Sequence, residues 1–213
     1  FVRSGAALEE TKKAELRKIN QELAVLTVKF GENVLKEDNG FTLVLEKPED
    51  LSGLPQDVVA AAAEAAKANG LDGQWVFTLH KPSCIPFFQY AARRDLRERL
   101  FKAFISRGDN GNEFDNKAVL AKISALRVKR AALLGYKTHA DYVLEENMAK
   151  TPAGVRKLLD QLWEPALAMA KTEAKDLQAL IDQEGGGFKL EPWDWWYYAE
   201  KLKKADRKSV VDV

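Results

Sequence analysis

Apolar residues recur along residues 5–38 at the spacing of one helical face. Leu16, Ile19, Leu23, Leu26, Phe30 and Val34 follow intervals of three and four, with Lys and Glu elsewhere. This predicts one long helix with a single buried stripe. At about 1.5 Å per residue it runs roughly 50 Å and needs partners along its length. The sustained seam also suits a coiled-coil hairpin. Asp38-Asn39-Gly40 predicts its end. Residues 41–46 and 74–80 are rich in β-branched and aromatic side chains, and both read as strands. They can pair across an Ala-rich helix at 56–69, which Asn69-Gly70 stops. A ribbon this small must pack on helices to be stable.

From Ser83 onward the pattern is helical. A short apolar helix is predicted at 85–92, with Pro86 in its first turn. Residues 95–106 carry Leu96, Leu100, Phe101 and Phe104 on one stripe, and 113–134 carry Val119, Ile123, Leu126, Val128 and Leu133 before Gly135. Thr138 is placed to cap a short helix running to residue 146. Thr151-Pro152 opens a long helix to about residue 183, with Thr151 as N-cap, Pro152 first inside and Pro165 expected to kink it. Gly185-Gly186-Gly187 breaks the chain, and Pro192 starts a last helix reaching residue 204. The expected architecture is mainly α: one multi-helical lobe over 1–213, with a long N-terminal helix, a small two-stranded β ribbon and a soft break near 108–112.

The 213 residues include 29 Ala against 13 Gly and 7 Pro, a mixture that favours helix. With 33 Lys+Arg and 32 Asp+Glu the net charge is +1, unlike the strongly basic balance of a dedicated nucleic-acid binder. No apolar run approaches the roughly 20 residues that span a membrane. One cysteine, Cys84, excludes an intramolecular disulfide and a Cys-rich zinc site, and a reducing, cytoplasmic setting is the simplest expectation. The chain starts at Phe1 without Met, and residues 201–213 run out without a cap or tail. Both ends are expected to continue in a longer protein.

Candidate chemistry is sparse. The sequence contains no H-E-x-x-H, G-x-G-x-x-G, P-loop or G-x-S-x-G. His80 and Cys84 are close enough in sequence for a nucleophile or metal couple, but two ligands do not make a site and a lone cysteine is usually core. His139 lies near Asp141, Glu145 and Glu146, which suits an acid–base cluster or a capped surface helix. Arg93, Arg94, Arg97, Arg99, Lys102 and Arg107 leave a net +4 after Asp95 and Glu98. They read as a phosphate-binding face or, preferred here, as a solvated helix face with internal ion pairs. The richest segment is Trp193-Asp194-Trp195-Trp196-Tyr197-Tyr198. Trp193, Asp194, Tyr197 and Tyr198 are its candidate channel or interdomain contacts. The structural alternative is a buried helix N-terminus whose Asp194 complements the helix dipole.

One ordered set of residues is more specific. Leu133-Leu134-Gly135-Tyr136, Thr138-His139-Ala140-Asp141-Tyr142, Met148-Ala149-Lys150-Thr151-Pro152, Pro192-Trp193-Asp194 and Tyr197-Tyr198 occur in one order with characteristic gaps. In this the chain resembles the thimet oligopeptidase family of zinc metallopeptidases. Phe1-Val2-Arg3-Ser4-Gly5, Leu71-Asp72-Gly73 and Arg93-Arg94-Asp95-Leu96-Arg97-Glu98 favour its bacterial peptidyl-dipeptidase Dcp branch over oligopeptidase A. The resemblance runs from Phe1 to about Ala205, and Asp206-Arg207-Lys208 departs from it.

The resemblance implies a mostly helical, two-lobed enzyme with a deep channel that admits short peptides. In that family zinc sits on an H-E-x-x-H helix with a further Glu ligand downstream, and the motif Glu is the general base. The peptidyl-dipeptidase branch releases dipeptides from the C-terminus. None of these catalytic or metal-binding residues maps onto 1–213, so the expectation is a non-catalytic piece forming channel wall, with zinc only in the parent. Its partners would be short peptides and the missing catalytic lobe, with no nucleic acid and no membrane. The alternatives are a free-standing helical interaction module and, more weakly, RNA binding through residues 93–107.

Overall fold

The computed structural model describes residues 1–211, with side chains described for residues 1–205. The departure at Asp206-Arg207-Lys208 therefore lies outside the described side chains, and the last two residues lie outside the described chain. Among the described residues there are eight α-helices and one two-stranded antiparallel sheet, so the mainly helical fold with a small ribbon is borne out. The chain forms two compact units, Phe1–Leu35 with Gly108–Ala168, and Lys36–Arg107 with Met169–Val213.

The first unit contains most of α1 (Glu10–Gly40), then α5 (Lys117–Leu133), α6 (His139–Leu144) and the first half of α7 (Pro152–Gln183). Helix α1 begins at Glu10, five residues later than its pattern predicts. Gly5 takes a left-handed φ of 96°, closing a 3-10 turn over Val2–Ser4. A Cβ at Gly5 would stand 2.6 Å from a Leu16 methyl, so the segment turns here and does not join the helix. Leu16, Ile19 and Leu23 of the predicted stripe are buried, and Ile19 and Leu23 pack with Val119, Ile123 and Leu126 of α5. Asn33 pairs with Asn116 near one end and Asn20 with Arg130 near the other, so α1 and α5 run antiparallel.

Val128 is 63% exposed, contrary to its place in the predicted stripe. It follows Leu126 by two residues, about 200° round the helix. Helix α5 also starts later than residue 113. Asp115 accepts the backbone N–H groups of Gly111 and Lys117, and Asn112 accepts that of Phe114. These side chains hold residues 111–116 as a loop in competition with helix. Thr138 caps α6 by accepting from the Asp141 N–H at 3.1 Å, and Thr151 accepts from Gly154 at 3.1 Å ahead of Pro152, both as predicted. Helix α7 continues through Pro165.

The second unit contains β1 (Thr42–Leu45), α2 (Gln56–Ala68), β2 (Trp75–Thr78), α3 (Lys81–Tyr90), α4 (Arg94–Ile105), the end of α7 and α8 (Pro192–Val211). The strands pair antiparallel with Thr42 opposite Thr78 and Leu45 opposite Trp75. Leu43, Leu45, Phe77, Phe87, Phe88 and Leu100 form the main core, with the Phe77 and Phe87 rings 4.6 Å apart. Helices thus bury the ribbon, as so small a sheet requires. Helix α3 begins four residues before the predicted start, and Pro86 lies inside it. Pro82 occupies the first turn, where a missing N–H is tolerated, and His80 O accepts the N–H groups of Ser83 and Cys84. A smaller core joins Leu177 and Ile181 of α7 to Tyr198 of α8.

Candidate functional site

The Trp/Tyr segment opens α8, and its buried centre is Asp194, whose side chain is wholly inaccessible. Pro192 starts the helix with a fixed φ and no N–H to leave unpaired, which sets Asp194 in the first turn. The first turn of α4 faces it with two arginines. Arg94 donates Nη2–H to Asp194 Oδ2 at 2.9 Å, and its Nε lies 3.1 Å from each carboxylate oxygen. Arg97 donates Nη2–H to Oδ1 at 2.9 Å. The Glu191 backbone N–H adds a bond to Oδ2 at 3.1 Å. Both carboxylate oxygens are therefore occupied.

Arg97 is as buried as its partner, at 1% exposure. Its remaining donors reach the carbonyls of Ala91 (2.7 Å), Ala92 (3.3 Å) and Trp193 (3.2 Å), and its guanidinium lies 4.1 Å from the Tyr197 ring centre. Arg94 stacks on Phe188 at 4.3 Å. A buried charge is tolerated only with this degree of pairing and hydrogen bonding. The arrangement is a clamp joining the N-termini of α4 and α8. It leaves Asp194 without a free lone pair for proton transfer or metal binding.

The other predicted contacts fall around this clamp. Trp193 is partly buried, with its indole Nε1–H enclosed and unpartnered among the described residues. Tyr197 lies between Arg97 and Lys201, edge-on to Tyr198 at 5.1 Å. Tyr198 is buried, and that burial pushes its hydroxyl pKa up. Trp196 is 40% exposed and borders a cleft of about 320 Å³ with Gln89, Glu200 and Lys203.

The arginine stretch is thus only partly the solvated face that its sequence suggests. Arg93 pairs with Asp95 and Asp50, Lys102 with Glu98, and Arg99 is exposed. Arg94, Arg97 and Arg107 instead reach across to Asp194 and Asp38. The signal was available: Arg97, Leu100, Phe101 and Phe104 follow i, i+3, i+4, i+7, which puts Arg97 on the apolar stripe.

His80 and Cys84 do not act together. The His80 ring contacts Asn39 Oδ1 at 3.1 Å, while the Cys84 thiol donates to Leu79 O within the main core. Burial pushes the Cys84 thiol up, the opposite of an activated nucleophile. Near His139, Asp141 is engaged in capping and Glu145 and Glu146 are engaged by Arg3. Arg3 also stacks on Tyr142 at 4.4 Å, and Tyr136 donates to Glu145. These bonds, first from Tyr136 and then from Arg3, hold the Glu145 carboxyl below its ordinary range. Sequence reading missed Arg3 because its partners lie some 140 residues away.

The model of peptidase family M3 matches residues 87–212, more than half of the chain. The chain belongs to peptidase family M3. Its family relatives extend the similarity over nearly all of it. It is 33% identical to dipeptidyl carboxypeptidase of Escherichia coli (strain K12) over 204 residues, which are 96% of this chain and 30% of that protein. It is 36% identical to oligopeptidase A of Haemophilus influenzae over 208 residues, with the same coverage. It is 34% identical to probable cytosolic oligopeptidase A of Arabidopsis thaliana over 223 residues, covering 100% of this chain and 30% of that protein. The thimet oligopeptidase resemblance is borne out, while 33% and 36% do not separate the two branches.

The chain spans about 30% of the length of these relatives. Among the described residues no three His, Cys, Asp or Glu side chains come together as metal ligands. No helix among the described residues is long and apolar enough to cross a membrane.

Proposed function

We propose that this chain is a non-catalytic helical lobe of a zinc metallopeptidase that hydrolyses short peptides and removes dipeptides from their C-termini. The observation that carries this reading is identity of 33–36% to M3 peptidases along at least 96% of the chain. On this reading residues 1–213 form channel wall, and the zinc ligands and general base belong to a catalytic lobe outside them. The partners are short peptides and that lobe, and the setting is the cytoplasm. The contribution of these residues is mechanical. The Arg94–Asp194–Arg97 clamp fixes α4 against α8, which keeps a wall at constant shape as peptides pass.

The test assays the full-length encoded protein on peptides of about ten residues or fewer, alongside the 213-residue chain. Stepwise dipeptide release from a free C-terminus is expected for the full-length protein, with loss of activity on chelation and none from the short chain. Equal cleavage of C-terminally amidated peptides would replace the dipeptidase mode with an oligopeptidase mode. Chelator-sensitive cleavage by the 213-residue chain itself would overturn the non-catalytic assignment. A full-length protein that cleaves no peptide would leave the interaction-module reading in its place.

A further inference from the structure

Arg127 and Arg130 stand one helical turn apart on α5, which makes them neighbours on its surface. Among the described residues neither is paired with a carboxylate. Glu22 of α1 is engaged by Lys122, and Asp141, Glu145 and Glu146 beside α6 are engaged by Thr138 and Arg3. Arg130 has one long bond, from its Nη1–H to Asn20 Oδ1 at 3.5 Å, and its Nε–H is enclosed without an acceptor. A guanidinium carries five donors, and an enclosed one is normally matched.

The two arginines line a groove of about 560 Å³ between α1 and α5, wholly within the first unit. That is the size of a small-ligand cleft. Leu23 and Val28 give it an apolar floor, and Asn20 and Thr27 lie along the α1 wall. Thr27 spends its hydroxyl proton on Leu23 O at 2.7 Å, which leaves its oxygen to accept, while the Asn20 amide can donate. Asn20 and Thr27 are about 10 Å apart along the helix, the reach of about three extended residues.

This lining selects its ligand. Two neighbouring planar forks match a carboxylate. A bare anion uses the arginines and nothing else. A peptide C-terminus brings a carboxylate, an apolar side chain and backbone amides together, and the groove has a group for each. We propose that the groove between α1 and α5 binds the C-terminal end of a peptide, with its carboxylate on Arg127 and Arg130 and its last apolar side chain on Leu23 and Val28. The proposal rests on the reading of this chain as part of a peptide-hydrolysing enzyme, and it names an anchor for the free C-terminus.

His139 reports on the groove. Burial first, and then the cations of Arg127 and Arg130, lower its pKa. A carboxylate on the two guanidiniums offsets the second cause, so the pKa rises. His80 is the other histidine of the chain and belongs to the second unit, which makes it an internal control. The experiment follows both imidazoles of the 213-residue chain by proton NMR titration. The probe is an N-acetylated tripeptide ending in leucine, as free acid and as C-terminal amide. The free acid is expected to raise the His139 midpoint saturably and to leave His80 unmoved, and the amide to move neither. Arg127 is exposed and without a partner among the described residues, so Arg127→Gln should fold as wild type and bind the free acid several-fold more weakly. Equal response to acid and amide, no response to either, or a response to inorganic phosphate at the same concentration would overturn the proposal. Hydrolysis by the full-length protein is scored separately. An active enzyme with a silent His139 defeats only the anchor, and an inactive one whose His139 responds defeats only the peptidase reading.

Discussion

At the scale of single residues, the clamp is a case in which removing one charge harms more than the pair itself stabilises. Asp194 is inaccessible and its oxygens meet two guanidiniums and a backbone N–H. Asp194→Asn leaves the buried Arg97 without its counter-charge, and loss of one partner of a buried pair costs roughly 3–5 kcal/mol. Arg97→Lys should also destabilise, since a lysine cannot reach Asp194 and the carbonyls of Ala91, Ala92 and Trp193 in the fixed fork geometry. Arg94→Ala should cost less, because Arg94 is about one-third exposed. Denaturant melts of the three variants check this order, and an Asp194→Asn midpoint equal to wild type would refute the clamp. His139 gives a second prediction. Burial of its ring first, then the cations of Arg127 and Arg130, lower its pKa in the fold. The unfolded ring titrates near 6.5, so between the folded and unfolded values the unfolded chain binds more protons and stability rises with pH. The contribution is complete above about pH 6.5 and declines as the pH falls from there towards the folded value. His139→Gln should flatten the melting temperature between about pH 7 and pH 5 relative to wild type, and unchanged slopes would count against this account.

At the scale of elements, most of the secondary structure was legible because local rules and packing agree. The Asn69-Gly70 stop, the Thr138 and Thr151 caps and the two strands stand where their residues put them. The misplacements have one character. The helices expected to start at residues 5, 85 and 113 shifted because a glycine conformation, a choice between Pro82 and Pro86, and Asp–Asn side-chain bonds decided the boundary. Those are contests among neighbours that periodicity does not score. Arg97 on an apolar stripe was readable, whereas its partner Asp194 lies 97 positions away and periodicity within one helix carries no trace of it. Gly53 shows how strongly one connector position is fixed. It has φ of 84°, and a Cβ there would sit 2.3 Å from Tyr90 O, beside the bond from Ala92 N–H to Ser52 O. Gly53→Ala combines a left-handed strain of about 1–2 kcal/mol with a clash against backbone that cannot step aside. It should destabilise far more than Gly70→Ala, where nothing stands within 4 Å of the added Cβ. Comparable melts for the two variants would show that the connector can move.

At the scale of the whole molecule, the proposed role of the chain is that of a supporting lobe, and that role can be tested through metal binding. Its charges nearly balance, Asp194 is engaged by Arg94 and Arg97, and Asp141 is engaged by Thr138. On the proposed reading the metal belongs to another lobe, and among the described residues no three His, Cys, Asp or Glu side chains converge. This has a thermodynamic consequence. An ion that binds only the native state raises stability by RT ln(1 + [L]/Kd), so a tight site would lift the melting temperature at modest zinc concentration. The 213-residue chain should melt at the same temperature with equimolar zinc, without added metal and with excess chelator. On the proposed reading, the full-length protein should lose peptidase activity under the same chelation. A zinc-dependent rise in the melting temperature of the short chain, saturating at one equivalent, would mean that these residues build a metal site of their own. The proposed division between a supporting lobe and a metal-bearing lobe would then have to be redrawn.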